Sequence, residues 1–250
     1  MTETPGVRVT TEAVQMMVTR YSVASRYSEG KAVLEVACGA GQGLGYMARK
    51  ADAVVGGDYD GDLVRIARDH YRGRVGLLQL DAHHLPFRDG AFDTVVLFEA
   101  LYYLSEPEKF TIESRRVLRD RGVLAICTVN KNWSDFNPSP YSTRYHSAPD
   151  LFALLAEHGF ETELFGAFPT TAASLSQKAV SLIKRTAVAS HLVPGSMKGK
   201  EWLKRIFYGK LTPLPAELDG DMAEEAPLTP IDAHVSNSEY KVLYAIARLR

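Results

Sequence analysis

Val33-Leu34-Glu35-Val36-Ala37-Cys38-Gly39-Ala40-Gly41-Gln42-Gly43 is the stretch that decides the fold. An apolar run takes one acidic residue and then breaks into alternating glycines. A buried parallel strand followed by a tight loop reads this way. The glycines serve where the backbone must take positive φ or let a ligand come close. Dinucleotide sites use the same alternation, so the loop alone does not name its ligand.

Working outward, strand-like and helix-like segments alternate. Strands are expected at 32–37, 53–57, 75–80, 92–98, 122–129, 161–168 and 240–249. Helices are expected at 10–27, 44–49, 61–71, 107–118 and 149–158. Pro107 at a helix start and Gly159 after a helix end fit those boundaries. This order predicts an α/β fold: a Rossmann-like, doubly wound, seven-stranded and mostly parallel sheet. Between 169 and 231 the rhythm fails. Lys178, Lys184, Arg185, Lys198, Lys200 and Lys204 gather there, and helices are expected at 172–189 and 200–208. The chain then divides into a helical cover (1–30), a cofactor-binding core (31–168), a basic helical insertion or lid before the last strand (169–231) and that strand (232–250).

At 250 residues, with 46% hydrophobic and 24% charged residues, the chain can bury a sizeable core. Its formal net charge of -1 excludes a generally basic, nucleic-acid-coating surface. Cys38 and Cys127 are too few for a disulfide framework, and no His/Cys spacing suggests a metal. Residues 1–9 lack the charged and apolar regions of a signal peptide, and no apolar run is long enough to span a bilayer. A cytoplasmic protein is expected.

Ligands of open α/β sheets bind outside the carboxyl ends of the strands. Four expected strands end there in functional residues: Glu35 with the glycine loop, Asp58, Asp81 and Glu99. Asp58 follows the first strand by the interval of a ribose-binding carboxylate. Its bland alternative is a helix cap, in competition with Asp62.

Taken together these segments resemble the class I S-adenosylmethionine-dependent methyltransferases of the small-molecule branch. The resemblance rests on Val33 to Gly43, on Val54-Val55-Gly56-Gly57-Asp58-Tyr59-Asp60 and on Leu80-Asp81-Ala82-His83-His84-Leu85-Pro86-Phe87. It continues through Phe92 to Leu101 and the turn Arg116 to Leu124. It implies S-adenosylmethionine as cofactor, with S-adenosylhomocysteine as product. Gly39 and Gly41 would face the methionyl part, and Glu35 its amino group. Asp58 would hold the ribose and Tyr59 would pack beside the adenine. Asp81 and the Ala82 backbone would bind the adenine. Phe98 and Glu99 would border the methyl group. Ala37 departs from the family, which often has glycine there, and alanine resists positive φ.

A sulfonium methyl is already electrophilic, so alignment supplies much of the acceleration. A base is needed only where the acceptor must lose a proton. The candidates are Glu99, His146, Tyr102, His83 and His84. Tyr103, Tyr21 and Tyr27 are candidates for the pocket wall. The expected acceptor is an oxygen or nitrogen of a small molecule, anionic if the basic insertion grips it, in specialised biosynthesis. Alternatives are a lipid or quinone acceptor, a membrane-surface contact through the insertion, and an RNA acceptor. An NAD-dependent oxidoreductase and a non-catalytic binding module are further alternatives. Either a monomer or a homodimer fits.

Overall fold

In a computed structural model, residues 4–170 and 211–249 are described. The elements follow in order: β1 (Arg8–Thr10), α1 (Thr11–Arg26), β2 (Ala32–Val36), α2 (Leu44–Ala48), β3 (Ala53–Asp58), α3 (Gly61–Tyr71), β4 (Gly76–Gln79), β5 (Phe92–Phe98), α4 (Pro107–Val117), β6 (Leu118–Val129), α5 (Ala148–Glu157), β7 (Phe160–Pro169), β8 (Leu211–Pro213), β9 (Thr229–Pro230) and β10 (Tyr240–Leu249). The central sheet runs β4-β3-β2-β5-β6-β10-β7-β9. The pairs from β4 to β6 are parallel. β10 lies antiparallel between β6 and β7. The α/β sheet is thus the expected one with an eighth strand, because Thr229–Pro230 adds a short antiparallel edge to β7. β1 and β8 form a separate two-stranded sheet.

The alternation of side chains along a strand explains both faces. Val33 of β2 packs in the layer of Met17 and Tyr21 from α1, Met47 from α2 and Tyr71 from α3. Leu34 and Val36 point the other way, into the layer of Phe110 from α4 and Leu151 from α5. Glu35 shares the Val33 face, and this puts a carboxylate under α1. From β2 the chain winds outward to β3 and β4, then returns to lay β5 on the other side of β2. Strand order reverses there, which opens a crevice at the carboxyl ends.

Side chains cap the starts of α1, α3 and α5. Asp60, rather than Asp58 or Asp62, caps α3, accepting from Asp62 N and Leu63 N at 2.9 and 3.3 Å. Ser147 and Asp150 form a capping box on α5. The expected helices at 172–189 and 200–208 lie outside the described residues. The described remainder of the expected insertion is largely extended rather than helical. It fastens α1 and the glycine loop. Leu214 and Leu218 are buried, Leu218 N donates to Gln42 O at 2.8 Å, and Glu225 accepts from Ser22 Oγ and from Arg26.

Two loop positions carry conformational demands. Ala37 takes φ 59°, left-handed despite its Cβ, so the feared resistance is overcome by the surrounding contacts. A Cβ on Gly43 would stand 1.8 Å from the Tyr21 ring. Ala37→Gly should therefore raise stability by about 1 kcal/mol, and Gly43→Ala should lower it by roughly 1–3 kcal/mol through overpacking against α1. Urea unfolding curves of the two variants check both signs.

Candidate active site

The crevice is a cavity of about 1080 Å³. That lies near the upper end for one drug-sized ligand, so a cofactor and an acceptor fit side by side. At one end stand Ala37, Gly39, Asp58, Tyr59, Asp81 and Ala82. At the other stand Phe98, Glu99, Tyr102, Tyr103, Trp133 and Tyr244. Two of the expected cofactor residues do not line it. Gly41 turns the loop at φ 81°, and its carbonyl accepts from Tyr71 Oη at 2.7 Å. Glu35 is 1% exposed and lies behind Tyr21.

Glu35 is the most perturbed carboxyl near the loop. Its Oε1 accepts from Tyr21 Oη at 2.7 Å, while its buried Oε2 has no hydrogen-bond partner. Burial pushes its pKa up to about 8, against the lowering effects of the Tyr21 bond and the Arg20 charge. An orphaned acidic oxygen beneath a glycine loop fits a ligand that brings a cationic group there.

Asp58 ends β3, and its side chain bridges backbone groups. Oδ2 accepts from Gly39 N at 2.8 Å and Oδ1 from Asp60 N at 2.9 Å. A carboxylate has about four acceptor sites, so a sugar diol can still be held beside these bonds. Burial raises its pKa, and the same backbone bonds oppose the rise. Asp81 accepts from His83 N and from His83 Nδ1 at 2.9 and 2.7 Å. The backbone bond from His83 leads in lowering its pKa. Tyr59 is 76% exposed at the rim, as a side chain that packs on a ligand would be. Among the histidines here, His84 points to solvent and His83 is tied to Asp81.

At the far end, Glu99 follows β5 with φ 52°. Its N–H donates to Cys127 O at 2.8 Å. Left-handed backbone at a non-glycine residue stores strain, and such strain gathers at functional sites. Glu99 Oε2 accepts from Tyr102 Oη at 3.0 Å and Oε1 from Cys127 Sγ at 3.7 Å. Tyr102 stacks on Tyr145 with ring centroids 4.9 Å apart. Burial, then the charge of Glu99, drives the Tyr102 pKa far up, so Tyr102 is a neutral donor and not a base. His146 is not brought to the cavity. It is 1% exposed, and burial pulls its pKa down to about 4, so it stays neutral and remote from the crevice. Tyr27 is also absent from the lining, whereas Tyr21 and Tyr103 belong to it.

Sequence reasoning missed Arg20, Lys241 and Tyr244, all of which line the cavity. Arg20 is 5% exposed. A charged residue on the otherwise apolar Val14-Met17-Val18-Tyr21 face of α1 was the available signal. Lys241 donates to Glu12 Oε1 at 2.6 Å and lies over the Trp133 ring, joining β10 to the start of α1.

Residues 34–126 match the family described as a methyltransferase domain. A probable S-adenosylmethionine-dependent methyltransferase of Mycobacterium tuberculosis is 36% identical over 134 residues, covering 51% of this chain and 48% of the relative. A fatty-acid O-methyltransferase of Mycolicibacterium smegmatis is 36% identical over 113 residues, 41% of each chain. The chain therefore spans about half the length, or less, of these curated relatives. Among solved structures, an S-adenosylmethionine-dependent methyltransferase of Thermotoga maritima, described as a possible histamine N-methyltransferase, superposes with a TM-score of 0.61. Its identity is 15%, covering 95% of this chain and 92% of that one, a likeness of fold alone. Among the described residues, no helix is long and apolar enough to cross a membrane. The glycine loop, Asp58, Asp81 and Glu99 all fall within the segment that matches a methyltransferase domain, and the fold is the one seen in solved S-adenosylmethionine-dependent methyltransferases.

Proposed function

We propose that this protein transfers a methyl group from S-adenosylmethionine to an oxygen or nitrogen of a small molecule, in specialised biosynthesis in the cytoplasm. The observation that carries the reading is the single crevice joining Gly39, Asp58 and Asp81 to Glu99. The cofactor supplies an electrophilic methyl on a sulfonium. Asp58 would hold its ribose while keeping Gly39 in place. Asp81 and Ala82 would hold the adenine, with Tyr59 against the ring. The orphaned Oε2 of Glu35 would receive the amino group. Phe98 and Glu99 would bound the methyl, and the walls would align the acceptor. A lipid or quinone acceptor is the second reading, favoured by a fatty-acid O-methyltransferase and a demethylmenaquinone methyltransferase among the relatives.

Calorimetry with S-adenosylmethionine and with NAD tests the cofactor. S-adenosylmethionine should bind and NAD should not. Asp58→Ala should weaken that binding roughly tenfold, the worth of one hydrogen bond to a charged group. Preferential binding of NAD would overturn the reading.

Glu35 generates a pH prediction. Its folded pKa, raised to about 8 from 4.5, means the ligand-free fold binds more protons than the unfolded chain in that window. Its contribution to stability is therefore full below pH 4.5 and lost as pH rises toward 8. A cationic group placed on Glu35 reverses the preference. Cofactor binding at pH 7 should then release about one proton. Calorimetry in buffers of different ionisation enthalpy measures it, and Glu35→Gln should abolish the release.

A further inference from the structure

The acceptor end of the crevice holds a cluster of polar groups from four separate elements. Glu99 follows β5, Tyr102 follows it in the next turn, Cys127 lies on β6, Tyr244 on β10 and Arg20 on α1. All are at least nine-tenths buried apart from Glu99, which is partly covered. Tyr244 is 0% exposed, and its hydroxyl has no nitrogen or oxygen partner among the described residues, only the Cys127 thiol beside it. A phenol buried in a cavity wall with a thiol as its one weak partner gains from a better one. The other groups are already directed at Glu99: the Tyr102 hydroxyl and the Cys127 thiol both donate to its carboxylate. Arg20 and Glu99 bear with opposite sign on Tyr102, Cys127 and Tyr244, so the cation and the anion flank the same space. Tyr103, at half exposure, presents an aromatic surface at the rim of that space.

We propose that Arg20, Glu99 and Tyr244 form a subsite for a hydroxyl on a planar ring, a phenol or an enol, with Glu99 as the proton acceptor. The assignment rests on the methyltransferase reading and narrows its acceptor. The charge pattern selects among acceptors. A carboxylate would meet the like charge of Glu99. An ammonium would meet Arg20. A neutral hydroxyl offers its proton to Glu99 and its oxygen to Tyr244 and Arg20, and its ring lies along Tyr103. In the transfer, the acceptor proton passes to a Glu99 oxygen as the new O–C bond forms. The carbon–sulfur bond breaks with its electron pair left on sulfur. The ether leaves neutral, and Glu99 returns the proton to water. Arg20 acts here on both partners: its charge favours the ionised Glu99, and its guanidinium donates to the acceptor oxygen. Glu99 itself is faced by Tyr102 from the following turn, Cys127 from β6, Tyr244 from β10 and Arg20 from α1.

The experiment compares 1-naphthol, 1-naphthoate and 1-naphthylmethylamine, which is an ammonium at neutral pH, on the intact protein. Binding is read by calorimetry with S-adenosylhomocysteine present, and transfer with S-adenosylmethionine. 1-Naphthol should bind tightest and be methylated on oxygen. Tyr244→Phe should weaken its binding about fivefold, the worth of one buried hydrogen bond. Glu99→Gln should lower kcat about 100-fold and remove the acid limb of the pH profile. Arg20→Met should shift that limb to higher pH, and Arg20→Lys should restore it. Retained cofactor binding shows that each variant is folded. Tighter binding of the naphthoate or the naphthylmethylamine, binding of none of the three, or an unchanged Glu99→Gln rate would overturn the subsite while leaving the methyltransferase reading in place. Failure of the wild type to bind S-adenosylmethionine would overturn both.

Discussion

The hydrogen bond from Tyr21 to the buried carboxyl of Glu35 is the contact on which the site depends. It ties α1 to the first strand of the core directly beneath the glycine loop. Five residues separate α1 from that strand, and hydrogen bonds and packing together hold it over the crevice. Tyr21 meets Phe98 edge-on at 5.6 Å, so one ring touches both the glycine loop and the end of β5. Gly43 leaves room for that ring because it has no side chain. The loop, the helix and the strand-end residue are therefore one packed unit. The unpartnered oxygen of that buried carboxyl costs stability, a cost that a cation bonded to it would offset.

The loop itself is held from the second strand of the core. Asp58 fixes the Gly39 amide, and Tyr71 bridges Gly41 and Gly45 across the start of α2. Side chains thus supply the loop's turns with partners that a short helix cannot. The same economy appears in residues 214–226, which close over α1 and α2 with buried Leu214, Leu218 and Ala226. The Ala226 amide donates to Thr19. A stretch without clear periodicity is here a structural strap, because its role is to satisfy groups on elements already formed rather than to build a layer of its own.

The acceptor end follows a different logic. Its polar groups come from α1, the turn after β5, β6 and β10, so no short segment contains it. Strain at Glu99 is tolerated because its amide bonds to β6 and its carboxylate is held by two donors. Such crossing of elements lets a common fold take varied acceptors, since each wall can change without disturbing the glycine loop.

By itself the sequence determined the order and type of the core elements, and with them the crevice. Periodicity is a local property, and β5, α3 and β10 fall where the hydrophobic pattern puts them. The strand-end carboxylates were also legible, because a topological rule places them at the same edge. Tertiary structure alone decided the rest. Insertion of β10 between β6 and β7 brings Tyr244 to the cavity, and docking of α1 brings Arg20, two placements set by pairing and packing between separate elements. His146 looked equally available in the sequence. Burial took it from the crevice, because a loop's path depends on what it packs against and not on the residues it carries.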